Sequence, residues 1–177
     1  MRPQIFEKFF AALPAVTGHH APGTALYNFF RDVMRREVEK LFGKKKNRAV
    51  KFPPFGALNF PYHKMGTIDS LDLFDLDELI IFSFYWQNRR RYRKVLDIGA
   101  NLGLHSIILG KCGYRVNSYE PDRLHFKILK ENLALNKISN VKPYPMAVSD
   151  KDGTVDFIRV LGNTTGSHIA GAKPNPY

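Results

Sequence analysis

The sequence predicts an α/β fold: an incomplete parallel sheet wound with helices and preceded by a helical N-terminal extension. Three observations predict it. From residue 94 onward, short apolar runs alternate with helical patterns, and strands separated by helices build a parallel sheet with right-handed crossovers. A glycine-bearing turn, Asp97-Ile98-Gly99-Ala100-Asn101-Leu102-Gly103, stands where the first of these strands gives way to a helix. Residues 1–48 carry helical periodicity and no strand pattern. The chain divides accordingly into a helical extension (1–48), short extended segments with a helix packing on the core (49–93), and the first half of a ligand-binding domain (94–177).

The elements follow in order. Residues 3–13 place Ile5, Phe6, Phe9 and Phe10 on one side of a short helix that Pro14 ends. Residues 16–23 hold Gly, Pro and two histidines and read as a loop. His19-His20 has no partner ligand at helical or hairpin spacing, so no metal site is read. Thr24 is a helix N-cap, and Leu26, Phe29, Phe30, Met34, Val38 and Leu41 recur at helical spacing up to about residue 42. Prolines at 53, 54 and 61 keep residues 49–65 in short extended pieces. A helix over 75–90 has Asp75, Asp77 and Glu78 in its first turn and Arg89 to Arg91 in its last, matching the helix dipole.

Beyond it, strands are read at 94–98, 115–119, from 141, and at 154–160, with helices at 102–112 and 122–135. Gly113 closes the first helix. The second carries Leu124, Ile128, Leu129 and Leu133 on one face and a left-handed stop at Asn136.

The formal charge of +11 is uneven: residues 1–94 hold 17 Lys/Arg against 9 Asp/Glu, and residues 95–177 hold 10 against 7. The runs Lys44-Lys45-Lys46-Asn47-Arg48 and Arg89-Arg90-Arg91-Tyr92-Arg93-Lys94 are read as solvated surface. They leave room for a weak contact with an anionic surface through the basic N-terminal region but do not identify a nucleic-acid partner. Cys112 is the sole cysteine, so there is no intramolecular disulfide framework, and it is read as a packing residue. The longest apolar run, residues 79–86, falls short of the ~20 residues a membrane helix requires. No signal-peptide cleavage pattern is read at the N-terminus, and the default compartment is the cytoplasm.

The chemistry gathers at the turn. Ligands in such sheets bind outside the carboxyl ends of the strands. Gly99 and Gly103 let the backbone approach without a Cβ in the way, and the helix beginning near Leu102 directs free N–H groups to the ligand. Glu120 ends the second strand, where a carboxylate accepts hydrogen bonds from both hydroxyls of a ribose. Pro121 offers its ring to an adenine face. A dinucleotide site wants Gly-x-Gly-x-x-Gly, but Asn101 and Leu104 stand where that pattern needs glycine. The spacing Gly-x-Asn-x-Gly resembles motif I of Rossmann-like class I methyltransferases. Their cofactor, S-adenosylmethionine, carries a charged amino acid end in place of a pyrophosphate, and Asp97 and polar loop groups suit that end.

The run from Val95 to Ser106 resembles the FkbM family of methyltransferases. Further pieces of the resemblance follow in order: Tyr119-Glu120-Pro121-Asp122, Asn132-Leu133-Ala134-Leu135-Asn136, Asn140-Val141, and Ala147-Val148-Ser149-Asp150 ahead of Asp152-Gly153. The resemblance covers about residues 60–170. It implies O-methyl transfer from S-adenosylmethionine to a hydroxyl of a small-molecule or glycan acceptor, such as a sugar or a secondary metabolite. By position, Asp97, Gly99, Ala100, Asn101 and Gly103 line the methionine end, Glu120 holds the ribose, and Met146 and Ala147 flank the adenine.

The resemblance also implies a fourth strand with a Lys-Ile-Asp-x-Glu-Gly-like motif, which these 177 residues lack. The expectation is therefore a truncated chain with an unprotected sheet edge at its first strand and little or no activity by itself. An alcohol acceptor benefits from a base. His105, in the first turns of the motif helix, and His168, in the polar loop 163–168, are the weak candidates, and the catalytic residue stays unassigned. Two other functions are open at this stage: a nucleic-acid methyltransferase, and a non-catalytic cofactor-binding or membrane-docking module.

Overall fold

The computed structural model describes residues 4–19, 21–44 and 48–172. Helix α1 (Gln4–Ala12) turns Phe6, Phe9 and Phe10 inward. Pro14 does not end the helical path. It opens a 3-10 segment, Leu13–His19, kinked at Val16, where a proline early in a turn forfeits no needed N–H; a loop over 16–23 was expected. His20 and Lys45 to Asn47 lie outside the described residues.

Thr24 caps α2 (Ala25–Phe42), its hydroxyl accepting from the N–H of Tyr27 at 3.2 Å. The buried face of α2 is rotated from the predicted stripe. Tyr27, Met34, Val38 and Phe42 are inside, while Phe29 is 60% exposed. The cause is tertiary: the Tyr27 hydroxyl donates to Asp77 (2.8 Å), and Arg35 reaches Asp72 (2.9 Å) and Asp75 (3.1 Å).

The proline-rich stretch forms two antiparallel ladders of two-residue strands, β1 (Val50–Lys51) with β2 (Ala57–Leu58) and β3 (Lys64–Met65) with β4 (Ile68–Asp69). Helix α3 (Leu76–Asn88) follows a 3-10 turn and buries Leu79 and Phe82. These parts meet around Phe52, which has no exposure and has Phe6, Phe10, Phe42, Phe55 and Phe74 around its ring with centroids 5.0–5.9 Å away. The same buried cluster continues into the second half of the chain.

There the order is β5 (Lys94–Ile98), α4 (Leu104–Lys111), β6 (Arg115–Tyr119), α5 (Arg123–Leu135) and β7 (Val141–Tyr144). The three strands pair in parallel as β5-β6-β7, with Asp97 beside Ser118 and Ile98 beside Tyr119. This is a Rossmann-like α/β unit. The motif helix starts two residues later than predicted, behind Gly103, whose φ is +87°.

In α5 the buried face is His125, Leu129, Asn132 and Leu133, with Leu124 exposed. Asn136 is not left-handed (φ −93°); that conformation falls to Lys137 (φ +54°). The Asn136 side chain instead bonds the backbone N–H and C=O of Asn59 at 2.9 and 2.7 Å, tying α5 to the segment after β2.

The strand expected over 154–160 shrinks to β8 (Phe157–Ile158), paired antiparallel with β9 (His168–Ile169). A chain that returns after a short loop makes a hairpin, since a parallel partner needs a long crossover. Bonds from Thr67 N–H and hydroxyl to the carbonyl of Gly162 (2.7 and 2.9 Å) fix this hairpin against the β3–β4 turn.

Side chains alternate across a strand. Val116 and Ser118 of β6 face the helices, while Leu96 and Ile98 of β5, 61% and 59% exposed, lie on the opposite face. Strand β5 is also an edge of the sheet. Among the described residues no helix is long and apolar enough to cross a membrane. The two environments predict contrasting outcomes in urea unfolding. Phe52→Ala lowers stability by about 3–5 kcal/mol, whereas Leu96→Lys changes it by less than about 0.5 kcal/mol.

Candidate functional site

The turn after β5 needs three left-handed residues: Gly99 (φ +77°), Asn101 (φ +52°) and Gly103. Asparagine is among the few side-chain-bearing residues that tolerate this region. The two glycines serve different purposes. A Cβ at Gly99 would point into open space, whereas one at Gly103 would lie 2.3 Å from Leu129 Cδ1. Gly99 therefore keeps room beside the turn, and Gly103 allows α4 to start hard against α5.

Several N–H groups of the turn are already used. Those of Gly99 and Ala100 both donate to the carbonyl of Tyr119 (2.9 and 3.0 Å), and that of Gly103 donates to Ala100. The N–H of Asn101 donates to Glu120 Oε2 at 2.6 Å. Glu120 Oε1 accepts from the N–H of Asp122 at 2.8 Å. Four N–H groups of the turn are thus used internally, while the helix start at Leu104 has no side-chain cap. What the turn offers instead is an acceptor: Asn101 Oδ1 is buried and makes no hydrogen bond among the described residues. Glu120 is 5% exposed. Burial pushes its carboxyl up, the N–H bonds from Asp122 and Asn101 pull it down, and the charges of Asp122 and Asp97 push it up further.

Gly99, Asn101, Glu120 and Pro121 line one cavity of about 180 Å³, to whose lining His125 and Thr164 also belong. A second cavity of about 380 Å³ holds Met146 and Ala147. Pro121 and Phe157 line both, so the two adjoin. The structure therefore brings together Gly99, Asn101, Glu120 and Pro121, and sets Met146 and Ala147 next door.

The remaining predicted residues brace the site. Asp97 Oδ2 accepts from the hydroxyl of Ser106 at 2.5 Å, and Ser106 Oγ also bonds Ser118 Oγ (2.7 Å), joining β5, α4 and β6. Burial pushes the Asp97 carboxyl up, against the Ser106 bond and the charge of His105. Ala100 is buried.

Neither candidate base lines the two cavities. His105 sits with Nε2 2.8 Å from Glu78 Oε2 and Nδ1 3.1 Å from the Tyr85 hydroxyl, packed on Phe82. His168 Nδ1 bonds the carbonyl of Gly166 at 3.0 Å. Burial pushes the Cys112 thiol up to about 12, as befits an inert packing residue. Among the described residues no cluster of three or more His, Cys, Asp and Glu is placed to hold a metal.

Sequence reasoning missed His125 and Arg159, and marked Thr164 only as part of the polar loop 163–168, three residues of which line the cavity. His125 is 4% exposed and shares a 2.9 Å hydrogen bond through Nε2 with Thr164 Oγ1. Asp122 caps α5 by accepting from the N–H groups of Leu124 (2.8 Å) and His125 (3.2 Å), and its other oxygen accepts from Arg159 Nε at 2.6 Å. Burial pushes Asp122 up, but the His125 N–H, the Arg159 guanidinium and the Leu124 N–H together hold it below 3.8. The only sequence signal for His125 was its place three residues beyond a capping aspartate.

No protein-family model matches the chain. Among curated proteins, the ribosomal protein L11 methyltransferase of Acetivibrio thermocellus is 38% identical over 58 residues. That match covers 32% of this chain and spans 18% of that relative's length. Among solved structures, the SAM-dependent methyltransferase from Agrobacterium tumefaciens superposes with a TM-score of 0.38 and 14% identity, over 41% of this chain and 25% of that one.

Asp122→Asn is expected to lower stability by about 1–3 kcal/mol at neutral pH, the scale of hydrogen bonds to a charged group. Because the folded-state pKa of Asp122 lies below the unfolded value, its stabilisation is present above pH 3.8 and is lost as pH falls through the folded value. Urea unfolding over a pH series will show the wild type and variant converging in that acid range. A gap that persists there contradicts the assignment.

Proposed function

We propose that the chain is the cofactor-binding portion of an S-adenosylmethionine-dependent methyltransferase. Its reaction is O-methyl transfer to a hydroxyl of a sugar or secondary metabolite, in the manner of the FkbM family it resembles. The observation that carries this reading is the convergence of the 99–103 turn and the Glu120 carboxylate on one cavity, with the Asn101 amide oxygen left unpaired beside them. A pyrophosphate needs N–H donors at this position, and four of the turn's N–H groups are consumed internally. A ligand bearing hydroxyls and an ammonium needs acceptors.

The residues divide the work as follows. Each Glu120 oxygen has taken one N–H and retains a lone pair, so the carboxylate can hold a ribose diol while its bonds to the backbone keep it in place. Asn101 Oδ1 accepts from the amino group of the methionine end. Pro121 and Met146 supply the apolar surfaces beside the base. His125 and Thr164, hydrogen-bonded to each other, complete the lining. The cofactor supplies a methyl group already activated on sulfonium, so the protein's contribution is to bind and align. His105 and His168 line neither cavity, and the role of base is assigned to neither.

Calorimetric titration with S-adenosylhomocysteine tests the reading. The chain is expected to bind it, and Glu120→Ala to weaken binding by about 1–3 kcal/mol, which is roughly 5- to 150-fold. Equal affinity in the variant removes Glu120 from the site, and no binding by the parent chain removes the reading. With labelled S-adenosylmethionine, label carried into a hydroxylated small molecule supports the acceptor class. Label carried into a protein would move the reading toward that of the ribosomal protein L11 methyltransferase.

A further inference from the structure

A separate cavity of about 300 Å³ lies between the β3–β4 hairpin and α5. Its polar lining is His63, Lys64, His125, Lys127, Glu131 and Arg159, so three cations face one carboxylate. Their charges are poorly compensated by the protein itself. Lys64 has no carboxylate partner among the described residues, and Lys127 is 4.0 Å from Glu131. Arg159 gives its Nε to Asp122 and leaves both Nη groups without a partner among the described residues. Leu102 of the motif turn and Ile128 of α5 form an apolar floor. The volume is at the lower end of small-molecule sites.

Two histidines, His63 and His125, line this space. The His63 backbone is fixed by an exchange of hydrogen bonds with Ser70 (2.9 and 3.0 Å). The His125 ring is anchored by Thr164 and is common to this cavity and the one at Glu120. A molecule in this space therefore touches the same imidazole that lines the cofactor cavity.

We propose that this cavity holds a methyl acceptor bearing an oxyanion, a phosphate or carboxylate on a compact organic body. Lys64, Lys127 and the Arg159 Nη groups bind the anion, and Leu102 and Ile128 support the body. The acceptor role rests on the methyltransferase reading; the anion site does not. Both imidazoles are now held below their ordinary value. For His63 the cause is burial, opposed by Glu131. For His125 it is burial, opposed by Asp122 and reinforced by Arg159 and His63. An anion placed among them favours their charged forms, so occupancy raises both titrations against the fixed background of Asp122, Glu131, Lys64, Lys127 and Arg159.

The experiment is a titration of the full chain with inorganic phosphate, and separately with succinate, at constant ionic strength, following the histidine Cε1–H resonances. At least one anion is expected to shift His63 and His125 saturably, with Kd of about 1 mM, and to move their titrations upward. Saturation by phosphate alone assigns a phosphorylated acceptor, and saturation by succinate alone assigns a carboxylated one. Lys64→Ala/Lys127→Ala, at positions where neither side chain supports the fold, is expected to weaken binding by about tenfold or more. Absence of a saturable shift with either anion overturns the proposal, as does equal affinity in the double variant. The S-adenosylhomocysteine titration separates the two readings: anion binding without it leaves the anion site standing and the methyltransferase reading fallen, and the converse does the reverse.

Discussion

A single carboxylate holds the ligand-binding end of the sheet together. Glu120 accepts from the N–H of Asn101, nineteen residues earlier, and from the N–H of Asp122, two residues later. Strands β5 and β6 run parallel and end side by side, so the turn leaving one and the helix entry following the other project from the same edge. The Gly99 and Ala100 N–H groups tie the turn to Tyr119 at the end of β6, and Glu120 carries the link on to the helix entry. With it, the left-handed turn at Gly99 and the first turn of α5 have a fixed relation, and the cavity between them acquires walls. A buried carboxylate opposes folding unless it is hydrogen-bonded, and these N–H groups both satisfy Glu120 and set its direction.

Once the turn is braced in this way, its polarity is decided. Backbone amides committed to Tyr119, Ala100 and Glu120 are not open to a phosphate. Among the atoms beside them are the Asn101 amide oxygen, which makes no hydrogen bond among the described residues, and the spare lone pairs of the Glu120 carboxylate. The replacement of a glycine by Asn101 in the sequence pattern and the consumption of amides in the structure express the same preference at two levels. The same logic extends to the neighbouring cavity, where Asp122 neutralises one end of Arg159 and leaves the other end facing inward.

Much of this was legible in the amino-acid order. The bounds of β5 and β6 were readable because each is a short run cut off by a turn former, and Thr24 announced α2 because a cap acts within its own helical turn. Gly99, Asn101, Glu120 and Pro121 share one cavity because they belong to chain segments next to strand ends. What was not legible depends on partners far away in sequence. Tyr27 is inside because Asp77, fifty residues on, accepts its hydroxyl. Asn136 abandons a left-handed turn because Asn59 takes its side chain. His125 matters because Thr164 meets it thirty-nine positions later. Periodicity has no access to such pairs, and it assigned Leu124 to the core at the place where α5 turns His125 inward. Asp97 and Gly103 were recognised as special, but their geometry shows bracing and close helix contact.

The bare side chains of Leu96 and Ile98 have a thermodynamic corollary. They belong to the strand whose last residue precedes Gly99, so the same five residues carry an unshielded apolar surface at one side and the ligand turn at their end. Linkage then makes the two reciprocal. If shielding that surface alters the affinity of the turn for its ligand by some factor, the ligand must alter the affinity of whatever does the shielding by the same factor.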